Sequence, residues 1–264
     1  MANGETERDY FNISLNEHKS LVDLSGDKNP IHTIQNYIMG AHLLGLIEIH
    51  PEIKNQYIQH LEVGFPSPVI MKEGGNKLVI KVDKLSEPST HLYSVEIKEN
   101  NIQVLRGKLK TTDNFEMFRL ESKTMLESCQ KTNISDSKVA YLKITPEKLD
   151  AYKRLIYSKT MTPQEYDNKF KDNRYPSMFT TFFIYAEIIK ILEQHVKNLN
   201  NGKKYLFAGS ALDFYTPGVS DGDLKLIGKI PEDIGTRSRC HIDFLVSGLE
   251  GIVAKSRTLA MAKA

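Results

Sequence analysis

Leu24-Ser25-Gly26-Asp27-Lys28-Asn29-Pro30-Ile31-His32 sets two reactive side chains between two kinds of backbone punctuation. Gly26 is the residue type at which helices commonly end, because glycine enters the left-handed region without a Cβ clash. Asn29-Pro30 then directs the chain into an extended or turn conformation, since the proline ring crowds the residue before it. Asp27 and His32 therefore fall on the two arms of one turn, with Asn29 placed to bridge the arms through its side chain. A carboxyl and an imidazole aimed at one small volume can remove one proton and deliver another. The same residues also read as plain turn chemistry, with Asp27 accepting backbone hydrogen bonds and His32 solvated. Turn chemistry alone favours that second reading.

Upstream, Ser14-Leu15-Asn16-Glu17 has the S-x-x-E form of a capping box, and Leu15, Leu21, Val22 and Leu24 suit a helix ending near Ser25. Downstream, Gly40 opens Gly40-Ala41-His42-Leu43-Leu44-Gly45-Leu46-Ile47, which is apolar on most sides and so expected to be buried. Residues 61–69 read as a strand, Gly74-Gly75-Asn76 as a turn, 77–82 as an alternating strand, and 91–97 with 102–110 as a closing hairpin. The order then recurs. Thr145-Pro146-Glu147-Lys148 is a second helix start with Pro at the first helical position, and 177–191 is a second apolar helix. Residues 211–219, the turn Asp221-Gly222-Asp223, 224–230, and the hairpin of 241–246 with 252–261 echo the first set of strands. Phe11-Asn12-Ile13 and Leu142-Lys143-Ile144 precede the two starts alike. One α+β unit is therefore expected twice, over residues 1–121 and 138–264, with a polar linker at 122–137.

The 264 residues are 40% hydrophobic and 26% charged, the make-up of an ordinary globular protein long enough for two modest cores. A net charge of +2 spread over many Lys and Glu leaves no basic tract to grip nucleic acid. The longest apolar stretches are broken by His42, Glu48, Glu187 and Lys190 and fall short of a membrane span. Residues 1–8 are polar and carry acids, unlike a secretory or mitochondrial leader, so a cytoplasmic location is expected. Cys129 and Cys240 have no C-x-x-C partner, which argues against a disulfide framework or a thiolate metal site. Strand alternation puts Cys240 and His241 on opposite faces, against a nucleophile pair. No phosphate loop, G-x-S-x-G or H-E-x-x-H pattern occurs, and neither a metal nor a redox cofactor is expected.

Over residues 24–32 the chain resembles the MaoC-like dehydratases, including the R-specific enoyl-CoA hydratases, whose signature reads approximately S-G-D-x-N-P-[IL]-H ahead of a glycine-opened, buried central helix. Phe65-Pro66-Ser67-Pro68-Val69 is similar to the family's F-x-x-P-V strand, and the duplicated layout is similar to its double hot-dog members. The resemblance implies an α+β double hot-dog fold, with two antiparallel sheets each wrapped around a central helix. It implies a hydro-lyase that dehydrates 3-hydroxyacyl thioesters, or hydrates 2-enoyl thioesters, in fatty-acid or polyketide-type metabolism. Asp27 and His32 become the catalytic pair, with Gly40, Asn29 and Tyr37 about the substrate. The thioester is expected on coenzyme A or an acyl carrier protein, the carrier being slightly favoured; pairing of two such chains is left open.

The second unit lacks the signature. Aligning Ser14 with Thr145 places Ser158 where Asp27 stands and Pro163 where His32 stands, with Ser177 near Gly40. One active site per chain is expected, the second unit supplying its wall. Phe179, Phe182, Phe183 and Tyr185 read first as a core stripe and second as an acyl-tunnel lining. Only residues 33–39 separate His32 from Gly40, shorter than the excursion that folds over the acyl tail in relatives, so an open acyl site is expected. His42, Glu48 and His50 read as packing or surface residues. Two rivals stay open: a hot-dog thioesterase, for which Glu48 is the candidate water-activating acid, and a non-catalytic acyl-binding or assembly subunit.

Overall fold

A computed structural model describes residues 10–27, 29–85, 91–114, 138–169, 177–198, 204–215, 222–231, 238–248 and 251–263. The linker at 122–137 lies outside them. The first half runs β1 (Tyr10–Ile13), α1 (Leu15–Ser25), one helical turn α2 (Pro30–Thr33), α3 (Gly40–Glu48), β2 (Tyr57–Gly64), β3 (Asn76–Lys84), β4 (Leu92–Glu99) and β5 (Ile102–Thr112). The second runs β6 (Lys138–Ile144), α4 (Pro146–Leu155), a 3-10 turn Tyr157–Lys159, α5 (Pro163–Lys169), α6 (Ser177–Asn198), β7 (Lys204–Phe214), β8 (Gly222–Lys229), β9 (Arg239–Gly248) and β10 (Gly251–Lys263).

The ten strands form one sheet in the order β1-β3-β4-β5-β2-β7-β10-β9-β8-β6, with antiparallel pairing throughout. Read inward from each edge, the halves have the same order, first strand, third, fourth, fifth, second. This is the duplicated, double hot-dog α+β arrangement. The halves join where the two second strands meet, β2 pairing β7 from His60↔Asp213 to Gly64↔Gly209.

The elements follow from the sequence pattern. Strands β3, β4 and β9 alternate buried and more exposed positions, so Leu78, Ile80, Val95, Ile97, Ile242, Phe244 and Val246 all face inward. Helix α3 is buried at every position from Ala41 to Glu48 and packs against α6, giving one contiguous core across both halves. Truncating Leu44 or Leu46 to Ala is expected to cost about 2–5 kcal/mol, the usual range for emptying a closed apolar site.

Both helix starts are capped as their sequences suggest. The Ser14 hydroxyl accepts from Glu17 N at 3.1 Å, and the Thr145 hydroxyl accepts from Lys148 N at 3.4 Å. Helix α1 stops at Ser25 because Gly26 takes φ +67° and returns its N–H to the Asp23 carbonyl.

One local expectation is corrected and one open alternative is decided. The strand read over 61–69 ends at Gly64, because Pro66 and Pro68 have no N–H to give a ladder; the chain instead passes under residues 36–38, with Ile38 N on the Val69 carbonyl and Tyr37 bridging Ile70. Of the two conformations expected at Asn29-Pro30, the turn is the one found: Pro30 opens the single turn α2 at the position where its missing N–H costs nothing.

Candidate active site

The turn between α1 and α2 is held by a ladder of short side-chain bonds. The Ser25 hydroxyl donates to the Val22 carbonyl at 2.7 Å and accepts from Asp27 N at 3.0 Å. Asp27 Oδ1 accepts from Asn29 N at 2.8 Å, and Asn29 Oδ1 accepts from Ile31 N at 3.1 Å. The Asn29 carbonyl takes the N–H groups of His32 and Thr33. Each small polar residue replaces a missing backbone partner two residues on, so the turn is rigid without a regular ladder. Asn29, expected near the substrate, lines the cavity but spends its amide oxygen on the turn.

This scaffold leaves one oxygen of Asp27 free to face His32. Asp27 Oδ2 and His32 Nε2 stand 3.9 Å apart, with side chains only 4% and 12% exposed, too far for a direct hydrogen bond yet close enough to share a substrate. The other ring nitrogen, Nδ1, is 2.7 Å from the Tyr37 carbonyl. A carbonyl only accepts, so Nδ1 carries the proton, and in the neutral ring the lone pair of Nε2 is left toward Asp27. Tyr37 thus reaches the site through its backbone, as the group that orients His32. Burial pushes the Asp27 carboxyl above its ordinary pKa, against the opposing pull of His32, the Asn29 N–H and Lys190. Burial thus biases Asp27 toward holding a proton.

Gly40 starts α3, as expected. The residue before it, Met39, offers no side-chain cap, while His42 N and Leu43 N both turn back to the Met39 carbonyl. By helix geometry the amides of Gly40 and Ala41 have no partner within the helix, and the helix dipole adds partial positive charge there. Glycine allows this close approach, because a Cβ on residue 40 would stand 2.8 Å from the Phe65 ring and the ring would have to give way.

Asp27, His32, Gly40 and Ala41 line a common cavity of about 270 Å³. Met39, Leu43, Val69 and Val104 supply apolar wall from the first half. The second half closes it with Phe182, Tyr185, Ala186 and Ile189 of α6, Phe207 of β7 and Met261 of β10. The aromatic stripe of α6 therefore divides: Phe179 and Phe183 pack in the core, Phe179 against Tyr152, whereas Phe182 and Tyr185 also face the cavity. Their i, i+3, i+4, i+7 relation with Ala186 and Ile189 was the available signal, outweighed by the general expectation that such stripes are core.

The remaining sequence candidates lie elsewhere. His42 turns from the cavity toward Glu17, at 3.3 Å. Glu48 sits at the opposite end of α3, where it accepts from the Tyr157 hydroxyl and from Met178 N. His50 is buried, its Nδ1 accepting from Glu52 N. Cys240 is buried and His241 exposed, on opposite faces of β9. Among the described residues, no three His, Cys, Asp or Glu side chains gather as a metal site, and no helix is long and apolar enough to cross a membrane.

No protein-family model and no curated protein matches the chain. Solved structures do. A MaoC-like dehydratase from Phytophthora capsici superposes at a TM-score of 0.59 with 9% identity, covering 97% of this chain and 95% of that one. The peroxisomal multifunctional enzyme type 2 of Drosophila melanogaster gives 0.60 with 13% identity over 97% of this chain, which spans 48% of that larger enzyme. The tesB protein of Mycobacterium avium subspecies paratuberculosis gives 0.55 with 10% identity, covering 87% and 89%. At such identities the likeness shows the hot-dog fold, which serves more than one chemistry.

Proposed function

We propose that this protein is a MaoC-like hydro-lyase that interconverts 3-hydroxyacyl and 2-enoyl thioesters, with Asp27 as acid and His32 as base. The observation that carries the reading is the 3.9 Å gap between Asp27 Oδ2 and His32 Nε2, facing a cavity that also holds the unpaired start of α3. In the dehydration direction Nε2 takes the C2 proton, and the electron pair moves into an enolate whose oxygen lies at the Gly40 and Ala41 amides. The pair then returns to form the C2–C3 double bond as the C3 oxygen leaves, taking the Asp27 proton to depart as water. Hydration is the same path reversed, and transfer of a proton from His32 to Asp27 resets the site. The thioester is carried on coenzyme A or an acyl carrier protein, and residues 33–39 leave the approach to the acyl site uncovered.

The thioesterase reading is weakened because Glu48, its candidate acid, is engaged by Tyr157 and Met178 at the far end of α3. The deciding experiment supplies purified protein with 2-enoyl and 3-hydroxyacyl thioesters and follows both the conjugated enoyl absorbance and the release of free thiol. Enoyl absorbance changing without thiol release is expected. Thiol release alone would identify a thioesterase, and binding without turnover would identify an acyl-binding subunit; either result overturns the proposal.

A further inference from the structure

Beside the proposed site lies a partly buried polar chain that the proposed chemistry does not use. His42, in the first turn of α3, is completely buried, and its Nε2 donates to Glu17 Oε1 at 3.3 Å. The other Glu17 oxygen accepts from Lys159 Nζ at 2.8 Å, and Lys159 also donates to the Asn12 carbonyl at 2.8 Å. His18, next to Glu17 on α1, is likewise completely buried; its ring lies parallel to that of His42 with centroids 6.4 Å apart. Neither of its ring nitrogens has a hydrogen-bond partner among the described residues.

The charges are set for this arrangement. Burial pushes the Glu17 carboxyl up, but the hydrogen bonds from His42 and Lys159 bring it below its ordinary value, so it is an anion. Burial pushes His42 down, against the pull of Glu17, leaving a neutral ring whose Nε2 proton points at the carboxylate. Burial and the neighbouring His42 and His32 rings bring His18 down to about 4. A half-buried carboxylate held between a buried neutral imidazole and a partly exposed lysine is a costly arrangement where apolar packing would serve. What they join is specific. Lys159 belongs to the second half, and His42 follows directly after Gly40 and Ala41, which line the cavity.

We propose that Glu17 and His42 are positioning residues: the Lys159–Glu17–His42 chain sets the depth of the α3 N-terminus relative to the turn bearing His32. The second half of the molecule thereby sets the distance between the amides that hold the thioester oxygen and the dyad that moves the protons. This inference rests on the proposed hydro-lyase reading for which groups react.

The test combines steady-state kinetics of thioester hydration with backbone amide NMR. His42→Ala and Glu17→Ala are expected to lower kcat about 10- to 100-fold, the usual cost of displacing reacting groups by about 1 Å, with KM nearly unchanged. The double variant should lose no more than either single one, because both break one chain. His42→Gln, which presents a donor where Nε2 stood, should recover most of the loss. The amide resonances of Gly40 and Ala41 should move in His42→Ala and return in His42→Gln. That last readout needs no turnover, so it judges the positioning even if wild-type protein proves inactive and the hydro-lyase reading falls. Folded variants that lose thermal stability while kcat and these resonances stay put, or single losses that add in the double variant, overturn the proposal. Should His42→Ala fail to fold, Glu17→Gln decides, since it keeps the shape and removes the charge: unmoved Gly40 and Ala41 resonances there also overturn it.

Discussion

The two halves of this chain present the same feature, the N-terminus of a buried helix, in opposite states. At α3 the first amides belong to Gly40 and Ala41, follow an uncapped Met39, and face a cavity holding an acid and an imidazole. At α6 the second amide, Met178 N, is bonded at 3.3 Å to Glu48, a carboxyl from the far end of α3 that also takes the Tyr157 hydroxyl. A helix start attracts an anion wherever it occurs. In the first half no side chain caps the start, and in the second the preference is met internally; Ser158, which aligns with Asp27, turns its hydroxyl back to the Arg154 carbonyl. The two halves share their strand order, and among the described residues only the first brings an acid and an imidazole to its helix start.

The largest effect should come from making the first half resemble the second. Asp27→Ser or His32→Ala is expected to lower the hydration rate by about 10²- to 10⁴-fold, the range for removing a positioned acid or base. Ser158→Ala should leave the rate unchanged. Initial rates on one enoyl thioester compare all three. A residual rate within about tenfold of wild type in either dyad variant would remove that residue from the mechanism.

Next comes the helix start itself. Gly40→Ala places a methyl 2.8 Å from the Phe65 ring, so the ring or the first turn must shift. The expected loss in kcat/KM is about 10- to 100-fold, through displaced amides. The strain should cost roughly 1–3 kcal/mol in denaturant unfolding. Phe65→Leu combined with Gly40→Ala should restore part of both, which a purely chemical role for residue 40 does not predict.

Opening the sealed start tests the other side of the comparison. Glu48→Ala leaves the Tyr157 hydroxyl and Met178 N without their partner, a cost of about 1–3 kcal/mol for each group left buried and unsatisfied. Glu48→Gln keeps an acceptor and should fold nearly as well as wild type. Burial raises the Glu48 carboxyl pKa despite Lys169 and the hydrogen bonds from Tyr157 and the α6 amides. With the folded value above the unfolded one, the native state holds the proton more tightly. Glu48 therefore contributes stability at low pH that is lost as pH rises from the ordinary carboxylate range through the raised folded value. Denaturation midpoints across that window should fall in wild type more than in Glu48→Gln. Parallel curves would show that Glu48 does not titrate in this way.

Much of this contrast was legible before any coordinates. Ser14, Thr145, Gly26 and Gly40 mark their helix boundaries because capping and left-handed geometry are local and act within a few residues. The repeated order of strands was legible because alternation is also local, and the two copies support each other. Gly26 and Asn29-Pro30 put Asp27 and His32 on one turn, but turn chemistry alone favours a solvated His32, and the resemblance of residues 24–32 to the MaoC-like signature is what makes their facing the expectation. What stayed hidden lay between elements distant in sequence. Nothing near Glu48 announces Tyr157 or Met178, and nothing near Glu17 announces Lys159, since each pair is created by packing of the halves. Past Gly64 the apolar residues Phe65 and Val69 suggest a continued strand, but Pro66 and Pro68 have no N–H for a ladder and end it. Phe182 and Tyr185 could not be separated from Phe179 and Phe183 by periodicity alone, since cavity and core lie on adjoining faces of α6.

The smallest expected effect is at the seam, where the two equivalent second strands meet. His60 of β2 stands opposite Asp213 of β7, with Nδ1 and Oδ1 2.7 Å apart, whereas the other end of the same ladder pairs Gly64 with Gly209. One end of the junction is thus closed by charge and the other by backbone alone. Both side chains are 38% exposed, so solvent screens the pair and it is worth at most about 1 kcal/mol. The hydrogen bond to Asp213 raises the His60 pKa, against partial burial. A raised histidine contributes stability that is fully present below its unfolded pKa and lost as pH rises through the folded value. His60→Asn and Asp213→Asn should therefore lower the unfolding midpoint slightly at acidic pH and not at alkaline pH, with no added loss in the double variant. An equal loss at both ends of the pH range would mean that the seam depends on shape at His60 rather than on charge. The two halves would then be joined by the same backbone contacts at both ends of the ladder.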